Sequence, residues 1–219
     1  MKTTPIAVCC GLLLAACGSQ KDASKENFAK AINKHLSSQC IAIDPAWPLS
    51  GEGYPVSIEM EGPGQFRPQM EVDKRNRDAT RKYDALVQAG VLTERSGTKR
   101  IVPLYGSGGP KDVPAKLYDL TDTGKKAQAA MGGKGTALCV GHYKVDMILS
   151  FTQPASAFNA IVSEVSYGFS PDDVVEWAKS SEVLHAFPSL QQALGVPRRG
   201  RTTVLLTSDG WVEGSEFGK

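Results

Sequence analysis

The first 17 residues restrict which part of the chain can build a fold. A basic start at Lys2 leads into an apolar run over residues 6–16, with small residues just before Cys17. This is the layout of a secretory signal. As a helix the run of about 11 residues would reach about 16 Å, whereas a bilayer core of about 30 Å needs about 20 residues. We therefore predict that residues 1–16 are an export signal that is removed, and that the fold is built from the residues after it.

The residues at the predicted cleavage point carry a second signal. Leu14, Ala15, Ala16 and Cys17 resemble the lipobox of bacterial lipoproteins at all four positions. The resemblance implies a diacylglyceryl group on the Cys17 thiol, cleavage before Cys17 and a further acyl chain, such as palmitate, on the new amine. Two or more acyl chains anchor a protein stably, where one is marginal. A plain cleaved signal with an incidental cysteine and a buried N-terminal helix are the alternatives.

The residue after Cys17 bears on the destination. Gly18 stands where lipoproteins kept in the inner membrane commonly carry Asp. The resemblance therefore implies the periplasmic face of the outer membrane rather than the inner membrane, and a membrane partner reached through lipid.

The remaining cysteines indicate a disulfide. Cys9 and Cys10 lie in the predicted signal, which leaves Cys40 and Cys139 in the mature body. An even pair in an oxidising compartment is typical of a disulfide, and we predict this bond. Two unpaired buried thiols are one alternative. A zinc site is the other, because two sulfurs and two imidazoles are a possible tetrahedral set; its ligands would be His35, Cys40, Cys139 and His142. We expect no other cofactor.

Composition favours a folded body without a strong overall field. The chain has 219 residues, of which 41% are apolar and 22% charged, as in globular proteins. Loss of Lys2 with the signal lowers Lys plus Arg from 25 to 24, against 23 Asp plus Glu. Because these charges nearly balance, the net charge does not favour nucleic acid as a partner.

The pattern of apolar residues predicts an α+β protein with two domains. We expect a lipidated tether at 17–23, a domain of one helix plus a winged-helix-like unit at 24–135, and a small antiparallel α+β domain at 136–219. Ser24 is placed to cap a helix running to about residue 38. Short strands are predicted near 40–43 and 56–60, the second from alternation of apolar and polar residues.

The centre of the chain resembles the second half of a winged-helix domain. We predict a helix over 72–89, a strand at 91–95, a turn at Ser96–Gly97, a strand at 99–105, a strand at 116–120 and a helix over 121–131. Acidic residues interleave with the basic ones on the first helix, which favours a solvated face over a nucleic-acid surface. An exported, lipid-anchored protein also does not meet the chromosome. We therefore expect a protein-contact or packing unit here.

The last third of the chain predicts a small sheet with helices. Alternation suggests an antiparallel pair of strands, 145–151 and 160–169, followed by a helix opening at Pro171 and a helical stretch broken at Pro188. Residues 198–201 form a basic patch that we expect in a solvated loop. Residues 139–146 with the following "FTQPA" resemble a segment of proteobacterial lipoproteins, which implies no function.

No catalytic motif stands out, and two classes of function remain open. The first is a non-enzymatic, lipid-anchored module of the cell envelope that binds another envelope protein or a cell-wall component. The second is a periplasmic hydrolase or small-ligand-binding enzyme whose site forms only in three dimensions. Its candidate residues are His142, Tyr143 and Asp146, or the surroundings of Trp47 and Trp211.

Overall fold

The protein has an α+β fold with two antiparallel sheets. The structure is a computed structural model that describes residues 19–46, 53–63, 67–102, 109–157 and 159–218. The helices are α1 (Lys25–Leu36), α2 (Gln69–Gln88), α3 (Asp122–Ala129), α4 (Ser181–Ala186) and α5 (Pro188–Gly195). The strands are β1 (Ile41–Ile43), β2 (Val56–Glu59), β3 (Leu92–Ile101), β4 (Lys111–Leu120), β5 (Leu138–Phe151), β6 (Ala155–Ala157), β7 (Ala160–Asp172), β8 (Arg198–Thr207) and β9 (Gly210–Glu213). The predicted α+β class is confirmed.

The larger sheet has the order β1-β5-β7-β8-β9, with β6 also paired to β7, and the smaller has the order β2-β4-β3. All the recorded strand pairs are antiparallel. Among the helices of the described ranges, none is long and apolar enough to cross a bilayer.

Helix α1 forms where the sequence predicts it. The Ser24 side chain accepts a hydrogen bond from the Asn27 backbone N–H, as an N-cap does. Phe28, Ile32 and Leu36 lie on one face and are buried. This face packs against β5, β8 and β9 of the larger sheet, so α1 belongs with the C-terminal strands.

The chain before α1 is attached to the body instead of forming a free spacer. The Trp211 Nε1 donates to the carbonyl oxygens of Lys21 and Asp22, both at 3.1 Å. The Asn27 Nδ2 donates to the Ser19 and Asp22 carbonyls at 2.9 Å. The predicted tether over 17–23 is therefore too long, because residues 19–22 are held by these bonds.

The central hairpin differs from the prediction at its turn. Ser96–Gly97 does not turn but lies within β3, which pairs with β4 without interruption from Leu92 to Ile101. A Cβ at Gly97 would come within 2.4 Å of the Leu117 Cδ1 on β4, so a larger residue there would require the Leu117 side chain to move. These two turn-forming residues are thus accommodated in an extended strand. The residues of the hairpin tip, 103–108, lie outside the described part of the chain.

Strand β5 is longer and less regular than expected. The predicted alternation would bury every second residue, yet Met147 is 58% exposed while its neighbour Ile148 is buried. The register with β7 shifts twice, between Val145 and Met147 and between Ile148 and Ser150. Each such bulge moves the following side chains to the other face of the sheet. The alternation predicted for 145–151 is therefore wrong.

Two further local predictions are corrected by strand pairing. No helix opens at Pro171; it lies near the end of β7 and pairs with Tyr143. Strand β8 pairs with β7 only as far as Phe169. Pro171 therefore has no partner strand on that side, and its missing N–H costs no hydrogen bond there. Residues 198–201 are not a loop but the start of β8. The helical stretch broken at Pro188 is confirmed, with Pro188 opening α5.

The core does not separate at residue 136. One buried cluster unites Leu86 and Tyr118 of the central unit with Leu138, Val183 and others of the C-terminal part. The second unites the apolar face of α1 with the larger sheet. The predicted division into 24–135 and 136–219 therefore cuts through both clusters, because apolar side chains from both sides of it pack together in each cluster.

Candidate functional site beside the Cys40–Cys139 disulfide

Cys40 and Cys139 come together where the chain passes from the end of α1 into β1 of the larger sheet. Strand β1 follows Cys40 directly and pairs antiparallel with the start of β5, so that Ala42 lies opposite Cys139. The two cysteines form a disulfide, with their Cα atoms 5.4 Å apart, within the usual range for the bond. Cys139 is 7% exposed, and Cys40 is half-buried.

His142 lies beside this disulfide. Its Nε2 is 3.8 Å from the Cys40 Sγ, and its ligand atom and the two sulfurs all lie within 4.8 Å of one another. His142 follows Cys139 by three residues, which in a regular strand would place the side chains on opposite faces. The register between β1 and β5 shifts between Ile41 and Ala42, and such an irregularity re-aims side chains.

His35, the fourth residue of the predicted zinc set, lies elsewhere. Its Nδ1 is 2.9 Å from the Glu216 Oε1 and 3.2 Å from the Ser215 Oγ. Its Nε2 is 2.7 Å from the Gln39 side chain. The four-ligand arrangement is therefore wrong, because the last turn of α1 aims His35 at the C-terminal residues; three of the four predicted residues come together.

A polar groove opens between the end of α1 and the larger sheet. It has a volume of about 360 Å³. Its lining comes from three elements, and the residues are Lys30, Asn33, Lys34, Ser37, His142, Tyr143, Lys144, Asp172 and Asp173. Lys144 is 3.9 Å from Asp172. Within the described ranges Lys30 and Lys34 have no acidic group within 4.0 Å, so the α1 wall of the groove is cationic.

A second cavity of about 450 Å³ adjoins the same site. His142 and Asp173 line both cavities, and Cys139, Lys126 and Trp177 line the second. Asp173 has φ of 51°, a left-handed conformation that non-glycine residues adopt uncommonly. It occurs where β7 ends and the chain turns towards the 3₁₀ turn at Glu176–Lys179, and it brings a carboxylate to the junction of the two cavities.

The other residues proposed for an enzyme site are dispersed. Tyr143 lines the groove, with the Arg198 guanidinium 5.6 Å from its ring centre. Asp146 instead accepts a 2.6 Å hydrogen bond from the Ser170 Oγ outside the groove lining. Trp211 is buried against α1 and the chain before it. Trp47 and Cys17 lie outside the described residues.

Sequence reasoning misses most of the groove. Lys30 and Lys34 are four residues apart on the polar face of α1, the spacing of neighbours on a helix, and this spacing is the one signal that points to the cationic wall. The predicted helix opening at Pro171 would place Asp172 and Asp173 in its first turn, whereas both residues line the groove.

The arrangement is suited to holding an anion against the lysines of α1. The chain matches no protein-family profile, no curated protein and no solved structure. Its function has to be inferred from this site and from the attachment of residues 19–22 to the body.

Proposed function

We propose that the protein is a lipoprotein of the bacterial cell envelope, acylated at Cys17 and directed to the periplasmic face of the outer membrane. Its folded body is a non-enzymatic binding module for an envelope protein or a cell-wall component. The observation that carries the proposal is the lipobox-like sequence Leu14-Ala15-Ala16-Cys17. In the structure, residues 19–22 are attached to α1 and β9 through Asn27 and Trp211.

This attachment leaves little free chain between a lipid and the body. Cys17 precedes Ser19 by two residues, which span at most about 7 Å when extended. Acyl chains on Cys17 would therefore keep the edge formed by α1 and β9 close to the headgroups. A cavity of about 390 Å³ lies at this edge, lined by Trp211, Asn27 and the same Lys30 and Lys34 that line the groove at the disulfide.

The position of the lysines supports a ligand with negative charge. Because Lys30 and Lys34 line both the cavity near the N-terminal attachment and the groove beside the disulfide, one cationic wall runs along α1. A cation near an anionic surface contributes about 1 kcal/mol. We propose an acidic segment of an envelope protein, or an anionic cell-wall polymer, as the partner.

The central unit supports a protein-contact role and not a nucleic-acid role. We propose that β2, α2, β3, β4 and α3 form a winged-helix-like unit; in support, the small sheet has the order β2-β4-β3, with a helix before β3 and another after β4. Two cations of its long helix are paired with carboxylates of the same unit. Arg75 pairs with Glu61 at 2.8 Å and Lys74 with Asp78 at 2.9 Å.

One observation favours an enzyme as the second candidate. His142, Tyr143 and Asp172 line a single cavity, as a hydrolase or small-ligand enzyme would need. However, the polar contact of His142 within the described chain is with the Cys40 sulfur. A histidine that acts as general base needs a nucleophile within hydrogen-bond reach, so we rank this function second.

The anchor is tested by acylation in a Gram-negative host. The full chain is expressed with an alkyne-tagged palmitate, beside Cys17→Ser and the matched control Cys10→Ser. We expect label on the wild type and on Cys10→Ser, in the outer-membrane fraction, and none on Cys17→Ser. Label that persists in Cys17→Ser, or a wild type that keeps residues 1–16, would refute the anchor.

The binding role is tested by crosslinking in intact envelopes. Lys30→Glu combined with Lys34→Glu reverses the cationic wall, and Lys99→Glu combined with Arg100→Glu on the exposed strand β3 is the charge-matched control. We expect a crosslinked partner with the wild type and the control, and a loss of at least tenfold with the double variant. Equal recovery from all three proteins would contradict binding along α1.

A further inference from the structure

We propose that reduction of the Cys40–Cys139 disulfide converts it into a site for Zn²⁺, bound by the Cys40 Sγ, the Cys139 Sγ and the His142 Nε2, with the fourth position open. The disulfide would then be one of two states of the site. This differs from a four-ligand structural site, because His35 is engaged with Glu216 and Ser215.

The distance between the Cys40 sulfur and the His142 ring is close to that in a zinc site. Zinc binds thiolate sulfur at about 2.3 Å and imidazole nitrogen at about 2.0–2.1 Å. In a tetrahedral site the sulfur and the nitrogen are then about 3.6 Å apart, and the Cys40 Sγ already lies 3.8 Å from the His142 Nε2. Once the bond between the sulfurs is broken, side-chain rotation lets them separate to the spacing of two zinc ligands.

The backbone around the site is held independently of the disulfide. Cys139 and His142 lie on the same strand, which pairs with β7 from His142 onward. Cys40 lies between α1, packed on the larger sheet, and β1, paired with β5. The three ligands therefore stay close to one another after reduction.

The site is both sheltered and accessible. Cys139 is 7% exposed, which shelters a metal–thiolate bond from bulk water. The cavity of about 450 Å³ is lined by Cys139 and His142 and offers an entry path and room for a water molecule in the fourth position. Three protein ligands plus an open position are typical of zinc sites that bind a further ligand.

The chemistry balances with a dithiol as the reductant. A dithiol donates two electrons and two protons to the disulfide and becomes a cyclic disulfide, leaving Cys40 and Cys139 as thiols. Zinc then displaces both thiol protons, since the thiolate is the ligand. The two positions, 99 residues apart, are joined by sulfur–sulfur bonding in one state and by the metal in the other.

The test uses the full chain in detergent with Cys9, Cys10 and Cys17 changed to Ser, so that Cys40 and Cys139 are the remaining cysteines. The protein is reduced without oxygen, freed of reductant and titrated with Zn²⁺ against a chromophoric chelator; Co²⁺ reports thiolate ligation by its charge-transfer band. We expect one Zn²⁺ per reduced chain and none per oxidised chain. Circular dichroism with and without Zn²⁺ follows folding.

Two variants distinguish the ligands. Loss of a residue that merely supports a ligand weakens zinc binding about 10–100-fold, so His142→Ala should weaken it at least as much and alter the Co²⁺ spectrum. His35→Ala should bind as tightly as the parent. The proposal is overturned if the reduced parent binds no Zn²⁺, folded or unfolded, or if His142→Ala binds like the parent.

Discussion

At the scale of single residues, the buried carboxylate of Glu213 interacts with residues of β8, of the segment after β9 and of α1. It accepts hydrogen bonds from the side chains of Thr202 and Ser215 and, at 2.8 Å, from the Ser215 backbone N–H. His35 lies 3.5 Å away. Burial raises the pKa of Glu213, but these donors and His35 outweigh burial, so its pKa lies below the ordinary value.

This lowered pKa predicts acid sensitivity that depends on one residue. In the folded chain the pKa of the Glu213 carboxyl lies below its ordinary value of 4.5. Its contribution to stability is thus complete above about pH 4.5 and is lost as the pH falls through the folded-state pKa. Glu213→Gln should lower the unfolding free energy at pH 7 by about 1–3 kcal/mol and flatten its decline in acid, as measured by urea denaturation across pH.

A matched control removes a carboxylate at the surface. Glu164 is 48% exposed and pairs with Arg201 at 3.1 Å. Such pairs contribute about 0–1 kcal/mol, so Glu164→Gln should leave both the stability and its pH dependence nearly unchanged. If Glu213→Gln behaved like Glu164→Gln, the buried network would not stabilise the fold.

At the scale of elements, α1 packs on one face of the larger sheet. The Phe28 ring meets Phe151 and Trp211 edge to face, with centroid distances of 4.9 Å in both cases. The Asn33 Oδ1 accepts a 2.8 Å hydrogen bond from the Val145 backbone N–H at the edge of β5. The helix thus covers the apolar face of the sheet and satisfies a donor on its edge.

Removal of the Phe28 ring should therefore destabilise the whole fold. Phe28 is 0% exposed, and truncation of a buried phenylalanine costs about 3–5 kcal/mol. Phe28→Ala should lower the unfolding free energy by that amount and speed hydrogen exchange in β5 and β9. Phe217, 56% exposed, supplies the same substitution as a control with little effect. Unchanged exchange in β5 would show that α1 packs independently of the sheet.

At the scale of the whole molecule, the Cys40–Cys139 disulfide and the two buried clusters hold together parts of the chain that are far apart in sequence. The disulfide spans 99 residues, and a loop of about 100 residues gives up to about 4.7 kcal/mol in the chain-entropy model. Typical measured values are about 2–4 kcal/mol. We expect the lower range here, because an unfolded chain that retains some structure loses less entropy to the cross-link than the model assumes.

Replacing both cysteines tests this expectation. Cys40→Ser with Cys139→Ser should lower the unfolding free energy by about 2–4 kcal/mol, measured by denaturant unfolding in the presence of a metal chelator. The reduced parent, under the same conditions, should fall by a similar amount. A double variant as stable as the oxidised parent would show that the native packing alone determines stability.

Much of the local structure could be predicted because its signals lie within a few residues. Ser24 and Thr121 cap the helices they precede, and Pro188 marks the boundary between α4 and α5. Phe28, Ile32 and Leu36, spaced four residues apart, lie on the buried face of α1. These features depend on backbone geometry and side-chain spacing, which the order of the amino acids determines by itself.

Only the tertiary structure decided how these parts meet. The bulges in β5, the extended path through Gly97 and the strand at Pro171 arise because distant strands set the register and occupy the space. The same holds for the site: His142 joins the two sulfurs while His35 faces Glu216, since each follows the packing of its own element. Contacts between residues far apart in sequence have no local pattern, so they could be found only after the chain had folded.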